Sequence, residues 1–256
     1  MIIVNTTDLV ISKSNEVFLK INTEPHIEYE LRDHFKFEVP NAKFMPQYRG
    51  RNWNGEIHLY DMRSKQIYVG LLDKIVNFCE QYGYSYQFVD NKFYGTPYEE
   101  NEHISMEGVK DYMNSICAHT PRKYQIEGVY GALKHNRKLL ISPTASGKSL
   151  MIYSLVRYYV DRGEKILLVV PTTSLVEQMY KDFLDYGWDA DSYCHRIYSG
   201  REKSNDAPVT ITTWQSVYKL ERSFFEEYGV IIGDEAHLFK SKSLIQIMTK
   251  LHHAKY

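Results

Sequence analysis

The sequence predicts an α/β protein built in two parts: a parallel sheet covered by helices on both faces, preceded by a small α+β domain. Three observations lead to this reading. From about residue 113 onward, short apolar runs alternate with helical patterns, the texture of strands buried on both faces. Before residue 92 the strand-like segments are shorter and surround one amphipathic helix. Between the two, NKFYGTPYEENEHIS (residues 91–105) is polar, carries Gly95 and Pro97 and keeps no period, as a linker does. The expected division is a small domain over residues 1–92, a linker with a lead-in helix over 93–112, and a larger domain over 113–256.

In the first part, apolar runs on either side of a Ser14-Asn15 turn signal predict a hairpin between Leu9 and Ile21, and the stretch after Pro25 has a short helical pattern. EIHLY (56–60), QIYVG (66–70) and YSYQFV (84–89) predict strands. Leu71, Leu72, Ile75, Val76, Cys79 and Tyr82 recur at three- and four-residue spacing, and Gly83 stands as a stop, which predicts a helix. In the second part, strands are expected at KLLIS (138–142), KILLVV (165–170), near Ile197, at VTITT (209–213) and at VIIGD (230–234). Helices are expected from Lys148 toward Tyr159, after Ser174 and from Trp214.

The 256 residues are 43% hydrophobic and 25% charged, an ordinary globular composition with room for two cores. Cys79, Cys117 and Cys194 are odd in number and scattered, which suggests neither a disulfide framework nor a zinc site. No stretch approaches the length of apolar sequence needed to cross a bilayer, and MIIVNTTDLV lacks the marks of a signal peptide, so a cytoplasmic protein is expected. Nothing in the sequence asks for an obligate protein partner or a membrane. A formal net charge of −1 gives no global basic footprint; a nucleic-acid partner would be held by local patches and backbone groups. His252 and His253 lack supporting carboxylates and are given no metal role.

Ser142-Pro143-Thr144-Ala145-Ser146-Gly147-Lys148-Ser149 follows an apolar run and opens a helix, the context a phosphate-binding loop requires. Such a loop aims backbone N–H groups at a β-phosphate and the helix start adds partial positive charge; Lys148 would neutralise phosphate oxygens and Ser149 would offer its hydroxyl to Mg²⁺. The pattern GxxxxGK[ST] begins with Gly, and Ser142 stands in that place; it serves if its φ stays negative. The Gly-Lys-Ser tripeptide alone would also suit an ordinary helix start on the surface. Asp234-Glu235-Ala236-His237 ends the run VIIG, where the C-terminal edge of a parallel sheet places ligands. Asp234 would hold Mg²⁺ through its water shell, and Glu235 would orient and deprotonate an attacking water. An isolated acidic pair would more simply cap the next helix. Several βα units after a phosphate loop, the chemical reading is the stronger one, with ATP and Mg²⁺ as cofactors.

In this order the segments resemble the first motor domain of superfamily-two helicases of the DExH type, which implies a RecA-like fold. Arg122-Lys123-Tyr124-Gln125 resembles the adenine-reading motif, in which the Gln125 amide would pair with the adenine edge. The run from Pro171, Thr172 and Thr173 to Gln178 resembles the motif that meets the tracked strand's phosphates, and it would equally cap a helix. Ser199-Gly200 and Thr212-Thr213-Trp214-Gln215-Ser216 resemble two smaller motifs on the same face. The resemblance gives His237 the role of coupling nucleotide and DNA sites, against the plainer reading of a satisfied surface histidine. It extends through the N-terminal part to a phage member of the superfamily, and implies ATP-dependent unwinding of branched DNA: recombination intermediates, stalled forks and RNA–DNA loops. The sequence stops at Tyr256, short of the family's third motif and of the second motor domain with its arginine fingers, so weak nucleotide binding and poor hydrolysis are expected of these residues alone.

Residues 43–65 interleave Lys43, Arg49, Arg51, Arg63 and Lys65 with Phe44, Tyr48, Trp53 and Tyr60. Cations for phosphate with aromatics for unpaired bases make a single-strand or junction platform, with Arg49, Arg51 and Trp53 nearest the contact. The competing reading is a solvated hairpin whose aromatics pack on the first domain's core. Two other functional classes share parts of the pattern. A phosphate-loop kinase would need Lys148 and Asp234 but not the segment from Pro171 to Gln178, and a non-catalytic DNA-binding module would not need Glu235.

Overall fold

The computed structural model describes residues 7–89, 101–143, 145–198, 206–235, 242–251 and 253–254. The expected linker over 91–100, Thr144, Ser199, Gly200, His237 and His252 lie outside the described residues. The chain forms two compact units, Met1–Tyr98 and Glu99–Tyr256.

In the first unit, β1 (Leu9–Lys13) and β2 (Phe18–Thr23) form the expected hairpin, with the Asn15 side chain accepting from the backbone N–H groups of Val17 and Phe18 in the turn. Then follow α1 (Pro25–His34), β3 (Lys36–Glu38), a 3₁₀ turn (Ala42–Phe44), α2 (Pro46–Arg49), β4 (Glu56–His58), β5 (Gln66–Tyr68), α3 (Leu72–Tyr82) and β6 (Tyr86–Phe88). A mixed sheet runs in the order β5-β2-β1-β6, with β6 parallel to β1, while β3 and β4 form a separate antiparallel pair. Ile27 and Leu31 of α1 and Leu72, Ile75, Phe78 and Cys79 of α3 close a core over Leu9, Ile11, Leu19 and Ile21. Gly83 ends α3 in the left-handed conformation (φ 74°), which explains a glycine at that stop.

The second unit begins with α4 (Met106–Ile116), α5 (Lys123–His135), α6 (Lys148–Val160), β7 (Ile166–Val170), α7 (Thr173–Asp185), α8 (Ala190–Tyr193) and β8 (Cys194–Ile197). It continues with β9 (Val209–Thr213), α9 (Trp214–Val217), α10 (Arg222–Glu226), β10 (Val230–Gly233) and α11 (Lys242–Lys250). The sheet is wholly parallel in the order β10-β7-β9-β8. Every residue of β7 is buried, and its pleat divides them: Ile166, Leu168 and Val170 enter a core with α4 to α7, Leu167 and Val169 one with α9 to α11. This alternation is the RecA-like arrangement of helices on both faces.

One expected strand is corrected. Residues 138–142 join no ladder among the described residues, and Leu139 and Ile141 are 66% and 93% exposed. Apolar, β-prone sequence becomes strand only where a neighbouring edge accepts its hydrogen bonds. The described ladder is β10-β7-β9-β8, with β10 and β8 at its edges.

Tyr60, 1% exposed in the first core, has no partner for its hydroxyl among the described residues, and burial raises its pKa. An orphan buried hydroxyl costs about 1–3 kcal/mol. Tyr60→Phe is therefore expected to leave the urea-unfolding free energy unchanged or raise it by about 1 kcal/mol. A loss of stability would reveal a partner for that hydroxyl.

Candidate functional site

The ladder places the functional loops. Gly233 of β10 pairs with Val169 of β7, Val169 with Thr212 of β9, and Thr212 with Ile197 of β8. The parallel strands thus end in one row. Beyond it, at the C-terminal edge, come Asp234, Pro171 with the start of α7, and Gln215 in α9.

The loop before α6 is built by left-handed residues and cross-links. Ala145 (φ 62°) and Gly147 (φ 76°) turn the chain, the Ser146 N–H donates to Pro143 O at 3.3 Å, and Gly147 O accepts from Leu150 N at 3.2 Å. Ser142, where the pattern has Gly, keeps a negative φ and hydrogen-bonds the Ser146 hydroxyl through its own. A hydroxyl-to-hydroxyl tie across the loop thus stands in the place of glycine's freedom. Gly147 cannot be replaced cheaply, since a Cβ there would lie 2.5 Å from the Gln125 amide nitrogen.

Gln125 is buried and its amide is fully engaged. Oε1 accepts from Arg122 N at 2.8 Å, while Nε2 donates to Ser146 O at 3.0 Å and Gly147 O at 3.3 Å. The Tyr124 hydroxyl adds a third tie, donating to Ser146 O at 2.6 Å and accepting from the exposed Arg122 guanidinium at 3.1 Å. The motif expected to read a base thus also ties the loop through the Ser146 and Gly147 carbonyls. Tyr124 was not singled out from the sequence, although it sits beside Gln125.

On the facing strand end, Lys148 Nζ lies 3.1 Å from Glu235 Oε1 and 4.0 Å from Asp234 Oδ1. Asp234 donates its N–H to Val169 O at 2.9 Å, and its carboxylate accepts from Glu235 N at 2.9 Å. Glu235 is left-handed (φ 55°), a conformation that costs a non-glycine residue of order 1–3 kcal/mol and that gathers at functional sites. Lys148, Asp234 and Glu235, 86 to 87 residues apart in sequence, thus come together as one ion cluster. Ser149 turns elsewhere: its Oγ is 2.8 Å from the Tyr186 hydroxyl and hydrogen-bonds Asp182.

At the α7 edge, Thr172 caps the helix, Oγ1 accepting from Leu175 N at 3.3 Å, and Thr172 and Thr173 are exposed while Pro171 is buried. Thr213 is 3% exposed with its hydroxyl on Ser216 at 2.9 Å, which leaves Gln215 as the open side chain of that segment. Glu177 ties α7 to β8 through Arg196 at 2.7 Å and Tyr198 at 2.6 Å.

The first unit has a second candidate site. A cleft of about 750 Å³ is lined by Arg49, Arg51 and Trp53 together with Lys43, Tyr48 and Asn52. The indole N–H of Trp53 donates to Glu56 O at 2.7 Å, so the ring is fixed and half-buried rather than packed in the core.

With this geometry in view, a model of the family described as type III restriction enzyme, res subunit, matches residues 118–256. The chain belongs to that family. The family described as DNA helicase UvsW, N-terminal, matches residues 9–90. Among curated relatives, the ATP-dependent DNA helicase UvsW of Enterobacteria phage T4 is 34% identical over 249 residues, 93% of this chain and 48% of the relative. The DNA 3'-5' translocase XPB2 of Sulfurisphaera tokodaii is 30% identical over 138 residues, 53% of this chain and 29% of the relative. A crystal structure of UvsW from bacteriophage T4 matches with a TM-score of 0.84 at 32% identity, covering 96% of this chain and 89% of that one. A second T4 UvsW structure gives 0.85 at 32% identity, covering 96% and 51%. This member of the res-subunit family thus resembles UvsW through both units, and it spans about half the length of that curated relative.

Burial raises the pKa of Asp182, the Ser149 hydrogen bond opposes the rise, and the nearby Asp185 charge adds to it. The folded chain then holds the Asp182 proton more tightly than the unfolded one. The stability this lends is complete below the unfolded carboxylate value of about 4 and is lost as pH rises through the folded value. Asp182→Asn is expected to be more stable than the parent at pH 7 and no more stable at about pH 4, as read by urea unfolding at the two pH values.

Proposed function

We propose that the chain supplies the ATP-binding motor unit of a DNA helicase acting on branched DNA, such as recombination intermediates, stalled forks and RNA–DNA loops. The observation that carries this is the Lys148, Asp234 and Glu235 cluster facing a cross-linked phosphate loop at the C-terminal sheet edge. Triphosphate oxygens would take the Lys148 ammonium and the N–H groups of Ala145, Gly147 and Ser149, with Pro143, Thr144 and Ser146 shaping the loop. Glu235, freed from Lys148, would hold the attacking water and accept its proton.

A bound Mg²⁺ would supply charge neutralisation on the phosphates. The donor set fits such an ion: Mg²⁺ asks for one or two protein oxygens beside phosphate and water, and Asp234 and Ser149 are at hand once Ser149 leaves Tyr186. Gln125 and Arg122 would border the base, and His237 would couple the nucleotide to the DNA edge. Pro171, Thr172, Thr173, Ser199, Gly200, Thr213 and Gln215 would line the path of the tracked strand, binding phosphate through amides and hydroxyls without reading sequence. Arg49, Arg51 and Trp53 would contact the branched substrate. The setting would be the cytoplasm of a phage-infected host, and no described helix is long and apolar enough to cross a membrane.

Binding of a fluorescent ATP analogue with Mg²⁺ tests the nucleotide site. Lys148→Ala is expected to weaken it about 10- to 100-fold, the worth of a charge-assisted hydrogen bond. Glu235→Gln should bind at least as tightly as the parent, since Lys148 loses a competing carboxylate, and lower hydrolysis by about 10²–10⁴-fold in a protein that includes the remaining half of the UvsW-like length. The 256 residues alone are expected to bind nucleotide weakly and not to unwind. Unchanged binding by Lys148→Ala would remove the phosphate loop from the site.

A further inference from the structure

The first-unit cleft has features that the helicase reading does not require. Its cations, Lys43, Arg49 and Arg51, have no carboxylate partner among the described residues, whereas Lys36 nearby is paired with Asp33 at 3.2 Å and Glu56 at 3.4 Å. Arg51 is held left-handed (φ 57°), where asparagine or glycine is the easier choice. The turn therefore carries backbone strain at Arg51. Tyr48 is set by close packing: a Cβ on Gly55 (φ 87°) would lie 3.3 Å from its ring and 3.0 Å from Ala42 Cβ. Trp53 is fixed through Glu56 O. The Asn54 side chain is spent on Glu56, accepting from its N–H at 3.1 Å and donating to its carboxylate at 2.8 Å. Asn52, by contrast, has no side-chain hydrogen-bond partner among the described residues and is exposed.

We infer that this cleft takes a single unpaired nucleotide, its base against the Tyr48 and Trp53 rings with Asn52 on the base edge, and its flanking phosphates on Lys43, Arg49 and Arg51. About 750 Å³ lies within the range of pockets that enclose whole small ligands, and it exceeds what one phosphate needs. Two pre-set rings offer a stacking surface that serves any base, and an open amide can meet the Watson–Crick edge only of a base that is out of its pair. A paired duplex presents phosphate to the cations but nothing to the rings. The cleft therefore distinguishes a branch or gap from continuous duplex, and it rests on the reading of the chain as a nucleic-acid enzyme.

The test is anisotropy of the whole chain with a labelled forked DNA, the same fork with an abasic site at the first unpaired position, and a blunt duplex, together with quenching of 2-aminopurine at that position. The parent is expected to quench 2-aminopurine and to bind the fork at least about tenfold tighter than the abasic fork and the duplex. Trp53→Ala should lose the quenching and the preference, and Trp53→Phe should keep most of both, which separates stacking from folding. Arg49→Ala with Arg51→Asn, the second chosen to suit the left-handed turn, should weaken fork binding and lower its log–log salt slope by about 0.7 per lost contact. Equal affinity for intact and abasic forks, or variants that bind the fork as the parent does, would overturn the inference while leaving DNA binding in place. Failure to bind any of the three DNAs would overturn both it and the helicase reading.

Discussion

The parallel register of the second unit is the constraint on which the rest depends. Because Gly233, Val169, Thr212 and Ile197 stand in one row, the acidic strand end, the α7 start and the α9 segment must emerge at one edge. The same register fixes the cores, since alternate residues of β7 enter opposite hydrophobic clusters. A one-residue slip would send Leu168 to the side of Leu167 and carry Asp234 away from Val169 O. Folding energy and site geometry are thus set by a single choice of pairing.

Within that edge the charges are arranged to change partners. Lys148 is held by two carboxylates, one of them on a left-handed residue, and all three side chains keep partial access to solvent. On the proposed reading a triphosphate competes for Lys148 with more negative charge than Glu235 brings, so phosphate binding and release of the general base are one event. On that reading the loop would keep its shape through the exchange, because Gln125 and Tyr124 hold the Ser146 and Gly147 carbonyls and not the N–H groups. Ser142 shows the same economy: a hydroxyl cross-link fixes a turn for which the usual glycine is missing.

What could be read from the sequence was whatever local chemistry decides. Helix α3 was legible from its apolar spacing and Gly83, β7 from its apolar run, and the meeting of Lys148 with Asp234 and Glu235 from the order of their segments. The misplaced strand at 138–142 is an apolar run like β7, but it joins no ladder among the described residues. Non-local contacts were equally hidden. Nothing near Ser149 in sequence announces Tyr186 or Asp182, and the Gln125 amide meets carbonyls 21 and 22 residues away. In the first unit the mixture of cations and rings was legible, but the fixed indole, the left-handed Arg51 and the Gly55 approach that turn it into a cleft were not.

On the proposed reading the two units would meet phosphate by different physics, and a net charge of −1 is compatible with both. At the sheet edge the exposed groups are hydroxyls, an amide and helix starts, and nearby cations are already paired, as Arg196 is with Glu177. Such groups can grip a strand and let it go without the counterion exchange that a row of free lysines would impose, which suits a surface along which a strand must move. In the first-unit cleft Lys43, Arg49 and Arg51 have no carboxylate partner among the described residues and the Trp53 indole is tied to Glu56 O, an arrangement suited to holding one feature in place. On the proposed reading, the cleft with its cations would hold a branch point and the uncharged groups of the sheet edge would pass a strand.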